Sequence, residues 1–291
     1  MTIPGKRSTH FRHERAASSG AAWLYAAVFV ASAGFVAASG RAIDLLPGLE
    51  AVILLLLVRA VVVPLTADAS DTAGWEICAP TSATRLWVPT VVGLAFAVII
   101  PVAAQIRTAV PLVPPLAVLG QATVPLAAAL AAGAGWRELG FGPSHRTWQT
   151  SIVLVPPIAV GLVVLVDAGM VAGPTLPPVL LLYLFSAAIP EEVHFRGVLL
   201  TRLMRLWGPS WAIVASSLLF GAYHAVANVT YFNGAPVPVA LALGVVVEGT
   251  LGLSFAIVFL RTRNLVAVVA LHTVLDTFNF TVLPHVQRFF M

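Results

Sequence analysis

Long apolar runs alternate with short polar segments along most of the chain. Dividing them at about 17 to 25 residues, the helical length that crosses a bilayer, predicts roughly nine spans. Prolines in the first half make one of the first four runs a candidate re-entrant segment. We therefore expect an all-α polytopic transmembrane bundle of about eight or nine spans. The runs lie near 21–40, 45–66, 86–106, 111–135, 148–170, 176–201, 209–230, 236–260 and 264–284.

Composition supports a membrane protein. The 291 residues are 59% hydrophobic and 10% charged, with a mean hydropathy of +0.95, whereas soluble domains carry about 25% charged residues. The chain has a single cysteine, Cys78, which excludes an intrachain disulfide framework and a cysteine-based metal site.

Basic residues indicate the orientation in the membrane. Residues 1–20 are polar and basic, and the apolar run after them is long enough for a retained first helix, with a cleaved signal as the weaker alternative. With the N-terminus in the cytoplasm, most arginines fall on the cytoplasmic side, as the positive-inside rule expects. We predict a basic tail at 1–20, N-terminal transmembrane helices at 21–135, a catalytic core at 136–284 and a short tail at 285–291.

One charged cluster interrupts the apolar pattern, in the sequence AAIPEEVHFRGVLL at 187–200. A charge at mid-membrane costs about 2.5–3.5 kcal/mol on insertion scales, so such residues persist if they are paired, solvated in a cavity or functional. Glu192 and Arg196 are four apart on one helical face and are expected to form a bracing ion pair. Glu191 lies about 100° around the helix and is not satisfied by the same pairing, which makes Glu191 the candidate reactive carboxylate. His194, three residues after Glu191 and able to touch it, is expected to be structural or site-lining.

Two later spans carry further polar side chains. His224 lies deep in one span, with Phe220 four residues earlier on the same helical face, and His272 and Asp276 lie four residues apart on one face of the last span. With Glu191, these groups suit hydrolysis, because a carboxylate can take a proton from water, one histidine can assist it, and a second can bind the oxyanion. Alternatively, two histidines and a carboxylate can bind zinc, whose water is then the nucleophile. The sequence supports both mechanisms and does not choose between them.

At these residues the chain resembles the CPBP intramembrane proteases, the family of CAAX-processing and bacteriocin-processing enzymes that includes the type II CAAX prenyl endopeptidases. The family pattern is Glu-Glu-x-x-x-Arg, then Phe-x-x-x-His, then His-x-x-x-Asn/Asp. Here these elements read EEVHFR, FGAYH and HTVLD, in that order. The stretch WRELGFG at 136–142 is similar to the usual lead-in, so the resemblance covers about 136–284.

The resemblance implies a role for each residue of the polar set. Glu191 would be the base that activates water, with Glu192 and Arg196 bracing the site. His224 would assist Glu191 or ligate a metal, and His272 with Asp276 would stabilise the oxyanion or complete the site. Asp276 departs from the more common Asn. An ionised Asp cannot donate a hydrogen bond to an oxyanion, so Asp276 more plausibly orients His272 or helps bind a metal.

We therefore expect an intramembrane endopeptidase with a polar catalytic cavity, which cleaves a membrane-associated protein or peptide by CAAX-type or bacteriocin-leader-type processing. Zinc is the candidate cofactor, with metal dependence left open. The expected partners are the lipid bilayer and a peptide substrate, with no nucleic acid. The Ala/Val-rich, Arg-over-Lys composition hints at a bacterial plasma membrane. The alternatives are a proton-coupled transporter and a catalytically silent scaffold or immunity protein of the same family.

Overall fold

The computed structural model describes residues 6–66, 82–105, 113–142 and 176–281. Within these ranges nearly all residues are helical and no strand occurs, which confirms the predicted all-α class. The described residues form eight helices: α1 Lys6–Ala38, α2 Ala42–Leu65, α3 Ala83–Gln105, α4 Val113–Ala131, α5 Leu176–Trp207, α6 Pro209–Tyr231, α7 Val237–Thr262 and α8 Leu265–Thr281.

Most of the predicted spans correspond to helices of sufficient length. Within the described ranges six segments are long and apolar enough to cross a bilayer: Ser19–Ala38, Ala42–Leu65, Ala83–Ala103, Leu176–Trp207, Pro209–Tyr231 and Val237–Thr262. The predicted runs at 111–135 and 264–284 contain shorter apolar helices, Ala117–Ala131 and Leu265–Asn279. The predicted span at 148–170 and the predicted tail at 285–291 lie outside the described residues. The protein is an integral membrane protein.

The first helix starts earlier than predicted. It begins at Lys6, so its backbone continues through most of the stretch expected to be a polar tail. A helix can extend beyond the apolar run because its backbone hydrogen bonds are internal and its polar end can lie in water. The apolar part, Ser19–Ala38, coincides closely with the predicted span at 21–40.

Helix α5 accommodates a proline just before the two glutamates. Pro190 has no N–H, so it cannot continue the α-helical hydrogen-bond ladder. The helix widens into a π turn at Leu184–Ala188, where the N–H of Ile189 donates to the carbonyl of Leu184. The Ser186 hydroxyl donates to the Leu182 carbonyl at 2.7 Å. Pro190 is thus preceded by a π turn inside a continuous helix, as is common near functional sites.

The chain divides into two compact units, and the first comprises the described residues of 1–55 and 200–256. Helix α6 packs in this unit against α1, the first part of α7 and the end of α5. Gly221 of α6 faces Gly244 of α7 so closely that a Cβ on either residue would overlap the carbonyl of the other. Nearby, the Tyr25 hydroxyl of α1 lies 3.1 Å from the Thr250 hydroxyl. Small residues thus bring helix backbones together here, as is typical of membrane bundles.

The second unit comprises the described residues of 56–199 and 257–281. Here α3 packs on α4, while the turn Ile189–Glu192 of α5 contacts both α4 and α8. A compact segment at 136–142, which we call the strap, follows α4. The edge of the Trp136 ring packs against that of Phe141, with centroids 5.2 Å apart. The second unit therefore places the two glutamates of α5 directly against the helix that carries His272.

The Gly221–Gly244 contact predicts a stability effect. We expect Gly221→Ala to destabilise the protein by about 1–3 kcal/mol, because the added methyl group must push two helix backbones apart. The matched control is Gly34→Ala, in which the new Cβ meets nothing within 4 Å. Thermal unfolding in detergent measures both variants. Equal melting temperatures for the two would contradict the close backbone contact.

Candidate active site

The charged cluster of α5 is buried. Glu192 and Arg196 are 0% exposed and Glu191 is 7% exposed, within a span of otherwise apolar character. The glutamates occupy the short α turn Ile189–Glu192, and Arg196 follows in the π turn Val193–Leu200. Such buried charges are tolerated in a membrane only when other polar groups surround them.

Glu192 links two helices through one carboxylate oxygen. Its Oε1 accepts a hydrogen bond from Arg196 Nη1 at 3.0 Å, as the four-residue spacing indicated. The same oxygen lies 2.8 Å from Nδ1 of His272 on α8. Since an ionised carboxylate only accepts, Nδ1 carries the proton in this contact. This hydrogen bond fixes the orientation of the His272 ring and turns its Nε2 away from Glu192.

The other ring nitrogen of His272 faces two further carboxyl groups. His272 Nε2 lies 3.4 Å from Asp276 Oδ2 and 3.8 Å from Glu191 Oε2. A neutral imidazole with its proton on Nδ1 presents only a lone pair at Nε2, as do ionised carboxylates. A proton on His272 Nε2 or on the Asp276 carboxyl group would allow a hydrogen bond across the shorter of these two contacts. The arrangement is suited to storing and transferring a proton.

Exposure differs across the cluster. The side chain of Asp276 is 18% exposed, that of Glu191 9% and that of Glu192 0%. The side of His272 that faces Asp276 and Glu191 is therefore less buried than the side that faces Glu192, although Glu191 Oε2 itself is buried, and we call it the accessible side. A reacting group would reach the cluster beside Glu191 and Asp276.

His194 anchors α5 to α3. Its side chain is fully buried, and its Nε2 lies 2.8 Å from the carbonyl oxygen of Gly93. A Cβ at Gly93 would lie 3.7 Å from the same nitrogen, so the ring packs directly on the α3 backbone. This hydrogen bond gives His194 a structural part in helix packing, and a contact between His194 and Glu191 stays a prediction.

His224 belongs to the first unit. Its Nδ1 lies 2.8 Å from the carbonyl oxygen of Phe220, one turn earlier on α6, so this nitrogen carries the proton. The ring packs edge-on against those of Phe220 and Tyr223, with centroids 4.7 and 4.9 Å away. The predicted common face of Phe220 and His224 thus brings the two rings together, and the role of His224 in a reaction stays a prediction.

Two further polar residues, Asn228 and Asn264, were not identified from the sequence. Asn228, one turn beyond His224, donates through Nδ2 to Glu248 Oε2 at 3.0 Å in the first unit. Asn264, directly before α8, binds the strap in the second unit. Its position offered a signal, since Asn before an apolar run is typical of a helix N-cap.

The zinc alternative depends on how the His, Cys, Asp and Glu side chains are arranged. Among the residues that the structure describes, no three His, Cys, Asp or Glu side chains are arranged to hold a metal ion. Nδ1 of His272 contacts the carboxylate of Glu192, which also binds Arg196. Only the other ring nitrogen of His272, Nε2, therefore faces the accessible side. The zinc alternative stays a prediction.

Comparison with protein families supports the predicted resemblance. Residues 173–278 match the family model described as Type II CAAX prenyl endopeptidase Rce1-like. The matched region contains all six residues that the sequence singled out, and it is shorter than the predicted 136–284. No curated protein and no solved structure matches the chain. The match agrees with the resemblance over the helices that carry the candidate site.

Because Glu192 Oε1 contacts both Arg196 and His272, a loss of stability is expected when Arg196 is replaced. We expect Arg196→Met to destabilise the protein by about 3–5 kcal/mol, because a buried carboxylate loses its cation. The double variant Glu192→Gln/Arg196→Met removes both charges and should recover part of that loss. Thermal unfolding in detergent, with Arg59→Met as an exposed control, measures the effect. A double variant less stable than Arg196→Met would contradict the pairing.

Proposed function

We propose that this protein is an intramembrane endopeptidase in which Glu191 activates the water that hydrolyses a peptide bond. The observation that carries this proposal is the convergence of Glu191, Asp276 and His272 Nε2 on the accessible side of a buried cluster. Glu192 and Arg196 hold His272 from the opposite side. The family match over 173–278 agrees with a peptidase.

In the proposed reaction Glu191 acts as the general base. Its carboxylate takes a proton from water while the water oxygen attacks the carbonyl carbon of the scissile amide. The carbonyl oxygen becomes an oxyanion in a tetrahedral intermediate. When the intermediate collapses, the C–N bond breaks and the amine leaves with the proton that Glu191 received. The products are a carboxylic acid and an amine, and Glu191 returns to its ionised state.

His272 and Asp276 would support the charge that develops in this reaction. A protonated His272 presents an N–H at Nε2, which can donate to the oxyanion. Asp276, 3.4 Å from that nitrogen, would stabilise the protonated ring and orient it. This role suits a carboxylate better than direct oxyanion binding does, because an ionised carboxylate has no proton to donate. His224 keeps the assisting role implied by the family pattern.

The proposed substrates are membrane-associated proteins or peptides processed in the manner of CAAX proteins or bacteriocin leaders. A site within the apolar spans favours a substrate that is itself held at the bilayer. The distribution of arginines supports a cytoplasmic N-terminus, and the composition supports a bacterial plasma membrane.

Replacement of the proposed base gives the direct test of the reaction. We expect Glu191→Gln to lower kcat by about 10²- to 10⁴-fold, the usual contribution of a general base. The control is Glu50→Gln, which alters an acid in α2. Purified protein in detergent, assayed with a quenched fluorescent peptide library, supplies the rates. Full activity in Glu191→Gln would refute the proposed role of Glu191.

Metal content separates the glutamate mechanism from the zinc mechanism. The glutamate mechanism predicts clearly less than one metal ion per chain and no effect of chelators on cleavage, because the base in it acts on water directly. Metal analysis of the purified wild type, His224→Ala and His272→Ala checks this. About one zinc per chain, lost in the histidine variants, would instead establish a metalloprotease. Absence of both metal and cleavage would favour the transporter or scaffold alternatives.

A further inference from the structure

The strap at 136–142 contacts both α5 and α8, and it binds the start of α8 through main-chain and side-chain hydrogen bonds. The N–H of Leu265, the first residue of α8, donates to the Gly140 carbonyl at 3.0 Å. The side chain of Asn264 donates through Nδ2 to the Gly142 carbonyl at 2.8 Å. The start of α8 is therefore bound to the strap at two consecutive residues.

Asn264 has a second function at the same place. Its Oδ1 accepts a hydrogen bond from the N–H of Val266 at 2.7 Å, which caps the helix. Oδ1 of Asn264 thus caps the start of α8, while Nδ2 of the same side chain binds the strap. The side chain is only 8% exposed, so water competes little for either bond. These two functions can be separated by substitution, because each uses a different atom.

The strap also packs against the glutamate helix. Leu139 is fully buried and shares an apolar cluster with Val198 of α5. At Gly197 of α5, a Cβ would lie 3.2 Å from the Leu139 carbonyl oxygen and 3.4 Å from Leu265 Cδ1. The strap, α5 and α8 therefore meet at Gly197 with no room for a larger side chain.

Gly140 allows the strap to come this close. Its φ of +88° lies in the region that favours glycine, and a Cβ there would lie 2.5 Å from the Phe259 ring. The position thus requires glycine for both its backbone conformation and its packing. The strap has one well-defined path across the start of α8.

The contact of the strap with α5 and α8 lies only a few residues along each helix from the candidate site. His272 is seven residues, about two helical turns or 10 Å, beyond Leu265. Glu192 is five residues before Gly197 on α5. Since a helix moves as a rigid rod over this distance, a shift where the strap holds α8 changes the hydrogen bond between His272 Nδ1 and Glu192 Oε1. Small displacements of this kind reduce catalysis substantially.

We propose that Asn264 is a positioning residue, which through the strap sets the hydrogen bond between His272 and Glu192. The expected effect on catalysis rests on the proposed function, whereas the effect on the hydrogen bond does not. Both follow from the two bonds of the Asn264 side chain and from the packing of Leu139 at Gly197.

The test uses Asn264→Asp, which keeps a capping oxygen for Val266 and replaces the amide donor to Gly142. The control is Asn233→Asp, the same substitution at an exposed turn of the first unit. In ¹⁵N-histidine-labelled protein, comparison with His272→Gln assigns the His272 signals in solid-state NMR spectra. We expect Asn264→Asp, but not Asn233→Asp, to shift or broaden the His272 Nδ1 signal. An unchanged signal would overturn the proposal, whether or not the protein cleaves peptides.

Kinetics provide the second readout if the wild type is active. We expect Asn264→Asp to lower kcat roughly 10- to 100-fold with little change in KM. Loss of thermal stability with an unchanged kcat per folded molecule would show a merely structural role and overturn the proposal. If Asn264→Asp does not fold, Asn264→Ser serves in its place, because serine also caps a helix and is too short to bind Gly142. A wild type without cleavage but with the expected NMR shift would refute the proposed function alone.

Discussion

The candidate site depends on one buried carboxylate oxygen, Oε1 of Glu192. It binds Arg196 on its own helix and His272 on α8. Burial of charges in an apolar span is unfavourable unless each finds a partner, so the loss of any one leaves another uncompensated. Each of these three side chains therefore depends on the other two. Because the same contact orients the ring, it also determines which nitrogen of His272 faces Glu191 and Asp276.

Helix α5 departs from regular α-helical geometry around this contact. In α5 a π turn precedes Pro190 and another begins just after Glu192, so the short α turn with both glutamates lies between two wider turns. A π turn changes which residues share a helical face, and it satisfies the carbonyls that proline leaves without a donor. The result presents Glu191 and Glu192, which are adjacent in sequence, to the same histidine from different sides.

The position of Asp276 connects the structure with the family pattern. Asn is more common there, and an amide can donate to an oxyanion whereas an ionised carboxylate cannot. In this chain Asp276 Oδ2 lies 3.4 Å from His272 Nε2. In the proposed reaction His272 itself supplies the donor that the amide would supply. The exchange of Asn for Asp would then move the donor to a neighbouring residue without removing it.

The fold class, most of the spans and the residue types of the candidate site could be predicted from the sequence. Hydropathy identifies spanning helices because lipid demands long apolar runs, and charged residues within them are conspicuous because they are costly. Spacing within one helix also indicated the contacts of Glu192 with Arg196 and of His224 with Phe220, because a helix has a regular repeat. The contacts of His272 with Glu192, of His194 with Gly93 and of Asn264 with the strap could not be predicted in this way. These contacts join residues about 80 to 120 positions apart, and no local periodicity specifies which side chains meet when helices pack.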